Sequence, residues 1–285
     1  MLRVATEEPE SVQQAHAEAT MVNLLSNDST AAAVLQRPGA VMRLLHCAAT
    51  SSDCQALIRA LLTALPVAHS QKAVTADDIE GLLEFLQSEH TMELKHVAAS
   101  YLASWAESSV VNSRRIASSG SVNAICHVVR QVTGKGRESH LLQCEVARIM
   151  GALGAHCASS MEQWVNPLVF MLADGAATSD PSLAHAVVNA LATCAATGDP
   201  SVQKALANST LWPLLHTIAK EGCGQLKCAA IPVVGALASG GIPVCESEAD
   251  YWTETLLGWV TGNESEDCLV ATSTAALAGK EWLIC

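Results

Sequence analysis

Aromatic side chains make up only 4% of this chain and charged ones only 15%. A chain that is nonetheless 50% hydrophobic must fill its core with Ala, Leu, Val, Ile and Cys. Small residues let helices approach closely, whereas a β-sandwich needs more β-branched and aromatic side chains. No apolar run approaches the roughly 20 residues that a bilayer span requires. The start, MLRVATEEPE, is acidic and has no apolar h-region, so it reads as neither a secretory signal nor an acid-poor transit peptide. Three N-x-S/T triplets, at Asn27, Asn208 and Asn263, are therefore taken as chance matches. None of the 11 cysteines forms a C-x-x-C pair, and the closest two in sequence are Cys223 and Cys228. That pattern is neither a zinc framework nor a secreted disulfide framework. Free, mostly buried thiols in a reducing compartment are expected, which places the chain inside the cell, in cytoplasm or nucleus.

Catalytic signatures are missing too. No G-x-S-x-G, H-E-x-x-H, G-x-x-x-x-G-K or G-x-G-x-x-G occurs. His90, Glu93 and His96, spaced by three, would share a helix face loosely, but they lack tight zinc spacing and a nearby cysteine. A polar turn leading into a helix is the better reading. Neighbouring Cys–His pairs such as His46–Cys47 point about 100° apart on a helix and make no dyad. The expectation is a chain with no enzymatic activity, cofactor or metal.

Positive charge is scarce in the second half. Residues 1–148 carry 12 Lys/Arg and 15 Asp/Glu, while residues 149–285 carry 4 and 13, within a formal net charge of −12. Such a chain repels phosphate backbones and anionic membrane surfaces, so neither nucleic acid nor membrane is an expected partner.

What the sequence does have is a period. The stretch HVAASYLASWA (96–106) returns in altered form along the chain. Aligned on Leu24, Leu65, Trp105, Leu153, Cys194, Leu237 and Leu277, its copies are separated by 41, 40, 48, 41, 43 and 40 residues. Three residues before each anchor stands Met21, Leu62, Leu102, Met150, Leu191, Val234 or Thr274, apolar in all but the last. A spacing of three keeps both positions on one helix face. Fifteen residues after an anchor come Gly39, Gly120 and Ser209, each opening an apolar helical run. A Gly there suits a turn that needs positive φ. The one long interval contains TGKGRES (133–139), which reads as an inserted surface loop rather than a phosphate loop. Pro232, beside Gly235, should kink its helix.

The Gly turn, the Leu-rich second helix and the Ala-rich third helix resemble the armadillo-repeat family, with HEAT repeats sharing much of the pattern. The resemblance implies an all-α, right-handed α-solenoid (superhelix) of about seven imperfect armadillo-like repeats, stacked as a single domain over 1–285. Both ends lack a complete unit, consistent either with polar capping or with a fragment of a larger protein.

The resemblance also implies a groove lined by the third helices, one and five residues before each anchor. The polar residues there are Asn23, Ser100, Ser104, Arg148, Asn189, Thr193 and Thr272. They lack the Trp and repeated Asn of importin-alpha-type receptors and the many cations of a beta-catenin-like groove. The implied function is a non-catalytic protein–protein interaction scaffold that binds a protein or extended peptide. The acidic stretches CESEAD (245–250) and NESED (263–267) would favour a basic one. The alternative is a regulatory or substrate-docking segment of a larger enzyme, of ubiquitin-ligase or hydrolase type, with its catalytic domain outside this chain.

Overall fold

The structure, a computed structural model, describes residues 12–255 apart from 52, 70–73, 133–135, 157–161, 179–180, 198, 208–209, 223 and 240–249. Every regular element among the described residues is a helix. The sequence reads as one domain; the chain divides into two compact units, Met1–His156 and Cys157–Cys285.

The first unit holds α1 (Val12–Leu25), α2 (Asp28–Leu35), α3 (Ala40–Thr50), α4 (Cys54–Thr63), α5 (Leu65–His69), α6 (Ala76–Gln87), α7 (Met92–Ser108), α8 (Val110–Ser118), α9 (Ser121–Gln131) and α10 (Arg137–His156). The third helices expected from the period are α1, α4, α7 and α10, and each packs on the next. The second helices α3, α6 and α9 form a parallel row, again neighbour to neighbour. The second unit holds α11 (Glu162–Thr178), α12 (Pro181–Ala196), α13 (Pro200–Ala207), α14 (Leu211–Glu221) and α15 (Gly224–Ser239), followed by helical residues 250–255. Its third helices α12 and α15 pack together, as do its second helices α11 and α14.

Local signals set the helix boundaries. Asn27, Asp53, Thr75, Thr91 and Ser109 each turn a side-chain oxygen onto a backbone N–H in the first turn of the helix that follows. Those N–H groups have no partner inside the helix, so such caps hold the starts in place. The glycine expectation is met: Gly39 and Gly120 have φ of 71° and 74° at the starts of α3 and α9. Ser209 lies outside the described residues. The inserted loop is shorter than 133–139, because α10 already includes residues 137–139. Residues 133–135 lie outside the described residues. Pro232 sits inside α15. It has no N–H to offer the carbonyl of Cys228, four residues earlier.

The core runs along the stacked helices. In α7 every residue from Val97 to Ala106 is buried, because α4, α5, α6, α8 and α10 all pack around it. A helix surrounded in this way is apolar on every side rather than along one stripe. Each Leu buried in the interior contributes roughly 1.5–3 kcal/mol. In the first two repeats the buried register differs by one residue from the sequence alignment. Leu25 and Ala64 are buried where Leu24 and Leu65 are half-exposed. The anchors Trp105, Leu153, Cys194 and Leu237 are buried. Leu277 lies outside the described residues.

The repeats are also stitched by polar contacts. Tyr101 of α7 donates its phenolic hydrogen to the Leu61 carbonyl at 2.9 Å. The backbone of Val74 is held from both sides. Its N–H donates to Asn112 Oδ1 at 3.2 Å, and its carbonyl accepts from Arg115 at 2.6 Å. The Gly39 N–H donates to Asp78 Oδ1 at 2.6 Å. These partners are separated by 40, 38, 41 and 39 residues, so the hydrogen bonds repeat the sequence period.

Five described cysteines, Cys47, Cys54, Cys126, Cys144 and Cys194, are free thiols. Cys228 departs from that expectation: it is disulfide-bonded. Its partner lies outside the described residues.

Candidate functional site

The exposed face of the third helices in the first unit is polar. On α1, Ala19 and Asn23 face solvent; on α4, Gln55, Arg59 and Thr63 do. Residues four apart fall on the same side of a helix, which is why these positions line up. Arg59 and Thr63 precede the buried Ala64 by five and one. They occupy the offsets that the alignment on Leu65 assigned to Ala60 and Ala64, both buried. The alternation of buried Leu57, Leu61 and Ala64 carries the signal that would have found them.

Ser100 and Ser104 sit elsewhere than the open groove expected of them. They are only 1% and 6% exposed. The physical reason is their size. Small side chains at a helix crossing let α10 close against α7, and the Ser100 hydroxyl is absorbed locally. Ser100 bonds the His96 carbonyl at 2.9 Å and stands beside the Glu145 carboxylate.

Around that crossing lies the densest charged cluster of the first unit among the described residues. Arg148 of α10 reaches back 41 residues to Glu107 of α7, with Nε at 2.9 Å and a second guanidinium nitrogen at 2.5 Å. A third donor meets Glu145 at 2.7 Å. The fork of the guanidinium matches a carboxylate, so this pairing fixes direction as well as charge. Arg148 is thereby held above its ordinary pKa, mainly by the hydrogen bond to Glu107. Burial pushes the Glu145 carboxyl up, against the pull of Arg148. His96 stands 3.9 Å from Glu145, too far for a hydrogen bond, and burial holds its imidazole below its usual value. With one cation between two carboxylates, Arg148 is neutralised and the cluster retains a negative excess.

The other predicted positions separate by unit. Asn189 of α12 is exposed and Thr193 half-exposed, with the Thr193 hydroxyl bonded to the Asn189 carbonyl at 3.0 Å. They belong to the second unit. Thr272 lies outside the described residues, as do 263–267 and most of 245–250.

His90, Glu93 and His96 diverge. His90 stacks on Phe85 with ring centroids 4.0 Å apart. Glu93 accepts from Gln55 at 2.5 Å, and His96 turns to Glu145. Among the described residues no three His, Cys, Asp or Glu side chains are grouped to hold a metal ion. Among them, too, no helix is long and apolar enough to cross a membrane.

No family model matches the sequence, and no curated protein does. Solved structures do match. The chain is similar to a designed armadillo repeat protein, with 15% identity, a TM-score of 0.56 and coverage of 91% of this chain and 98% of that one. A designed armadillo repeat protein in complex with the peptide (KR)4 matches with 16% identity, a TM-score of 0.60 and coverage of 83% and 98%. A crystallised engineered protein matches 98% of this chain and 70% of its own, with 19% identity and a TM-score of 0.65. The chain therefore has an all-α, armadillo-like solenoid fold, and its helices fit about seven repeats.

Proposed function

We propose that this chain is a non-catalytic scaffold that binds an extended, basic peptide segment of a partner protein along the third-helix face of its first unit. The observation that carries the reading is the state of Arg148. It is the cation at the centre of the α7–α10 crossing, and Glu107 and Glu145 both bind it. A guest therefore meets a surplus of carboxylate there, with Glu93 a few turns away on α7. Fixed carboxylates attract cationic side chains and speed their approach. A solved neighbour, a designed armadillo repeat protein in complex with the peptide (KR)4, supports the reading. Asn23, Arg59 and Thr63 would offer hydrogen bonds to the guest's backbone, and Asn189 and Thr193 hold the matching offsets in the second unit. Buried Ser100 acts from beneath, through its bond to the His96 carbonyl and its place beside Glu145, while Ser104 lies buried on the same helix. An intracellular setting, cytoplasmic or nuclear, is part of the same reading; it rests on the five free thiols, against which stands the disulfide at Cys228.

The test is fluorescence anisotropy with labelled basic, acidic and neutral peptides of equal length and the full chain. The basic peptide should bind, and more weakly as salt rises. Charge reversal by Glu107→Lys together with Glu93→Lys should weaken it by about tenfold or more. Equal binding of all three peptides, or binding untouched by the reversals, overturns the reading.

A further inference from the structure

We propose that Arg148 is an internal stopper of the third-helix face: its guanidinium fills the place at the α7–α10 crossing that an arginine of the guest takes, and the guest binds by displacing it. The inference rests on the basic-peptide reading above and adds to it the residue that is recognised and the way the face is regulated.

Two carboxylates stand where their charge is disfavoured. Glu107 lies in the last turn of α7. That end of a helix carries the negative pole of its dipole, where a cation is welcome and an anion is not. Glu145 of α10 has a side chain only 15% exposed. Burial pushes its carboxyl up, and Glu107 adds to that push against the pull of Arg148. His96 stands 3.9 Å away, but burial holds its imidazole below the ordinary value, so it brings little charge at neutral pH. Like charges held this way need a cation between them. Arg148 supplies one from the same chain.

The grip on Arg148 suits a guanidinium in particular. Nε and one terminal nitrogen lie 2.9 and 2.5 Å from the two oxygens of Glu107. The other terminal nitrogen lies 2.7 Å from Glu145. All three nitrogens are engaged, and the two carboxylates come from different helices. An ammonium is a compact point charge and lacks the planar fork that meets both. Yet the Arg148 side chain is 40% exposed and that of Glu107 33%, so the seat opens to solvent. The residues on either side of Arg148, Ala147 and Ile149, are buried and anchor the helix when the side chain swings out.

A guest must therefore compete with a group that never leaves the chain. Its apparent affinity is lowered in proportion to the fraction of molecules in which the seat is open. A guest arginine regains the bonds that Arg148 gives up, whereas a guest lysine regains only part of them. The face favours arginine over lysine for that reason.

The test is fluorescence anisotropy on the full chain at one salt concentration, with labelled arginine–serine and lysine–serine repeat peptides of equal length. The parent should prefer the arginine peptide. Arg148→Ala should bind the arginine peptide about tenfold more tightly than the parent, since one charge-assisted pairing no longer has to be displaced, and should gain less for the lysine peptide. Arg148→Lys keeps the charge and loses the fork. It should still tighten the arginine peptide several-fold, and it covers the case in which Arg148→Ala does not fold. Ethylguanidinium probes the seat without a peptide: it should raise the melting temperature of Arg148→Ala in a saturable way, more than ethylammonium does, and not that of the parent. Peptides that bind the parent and both variants alike overturn the stopper and leave the functional reading standing. Equal gains for both peptides in Arg148→Ala with no gain in Arg148→Lys reduce Arg148 to a plain charge and overturn it too, as does an ethylguanidinium effect no larger than that of ethylammonium. Binding of neither peptide to any of the three proteins overturns the functional reading together with the stopper.

Discussion

The Tyr101 hydroxyl donates to the Leu61 carbonyl across 40 residues and 2.9 Å, in a site closed to water. Burial pushes the phenol well above its usual range, so it stays a donor at any pH the chain survives. Tyr101→Phe keeps the ring and removes the bond. The Leu61 carbonyl still accepts from the Ala64 N–H at 3.2 Å. The expected loss is about 1.5 kcal/mol, read from urea unfolding.

Asn112 is a harsher case. It is fully buried and accepts from the Val74 N–H, while its amide donates to Ser108 at 3.3 Å. Asn112→Ala orphans a buried donor and opens a small cavity. A loss of about 2–4 kcal/mol should appear in the same measurement.

Gly120 separates backbone strain from packing. A Cβ added there would meet nothing within 4 Å, so only its φ of 74° opposes a side chain. Gly120→Ala should cost about 1–2 kcal/mol, and Gly120→Asn less, because Asn tolerates the left-handed region. Equal costs for the two in thermal melts would contradict that account.

Glu145 and His96 predict opposite responses to acid. Glu145 has its folded pKa raised, chiefly by burial, so its contribution to stability is present at low pH and lost as pH rises through that pKa. Glu145→Gln should therefore be more stable than the parent at neutral pH, with the advantage fading as acid protonates the parent. His96 has its pKa lowered, so its contribution is present above the ordinary histidine range and is lost as pH falls through the folded value. His96→Gln should flatten the stability curve on the acid side of neutrality. Both are read from denaturant midpoints across pH.

Two thiols should be silent in the folded chain. Burial, helped by Glu18, pushes Cys47 up to about 11, and burial pushes Cys194 up to about 12. The thiolate is the reactive form, so neither should be alkylated near neutral pH until the chain is unfolded. Mass spectrometry of labelled peptides checks this.

The period was legible because it is written in apolar residues that recur on one helix face. Its phase was less so. Leu24–Leu25 and Ala64–Leu65 each offer two adjacent apolar candidates, and only neighbouring helices decide between them. That one-residue ambiguity hid Arg59 and Thr63. Ser100 and Ser104 looked like surface because they are polar; the approach of α10 buries them. The clamps on Val74 and Gly39 had no signature, since Asn112 and Asp78 meet the backbone of another repeat.

Because the polar bonds from Gly39, Leu61 and Val74 each span a single repeat, none of them ties distant parts of the first unit together. Pulled from its two ends, that unit should lengthen in a series of small force steps, one per rung, rather than rupture at a single peak. A chain built this way would behave under load as a spring with discrete coils.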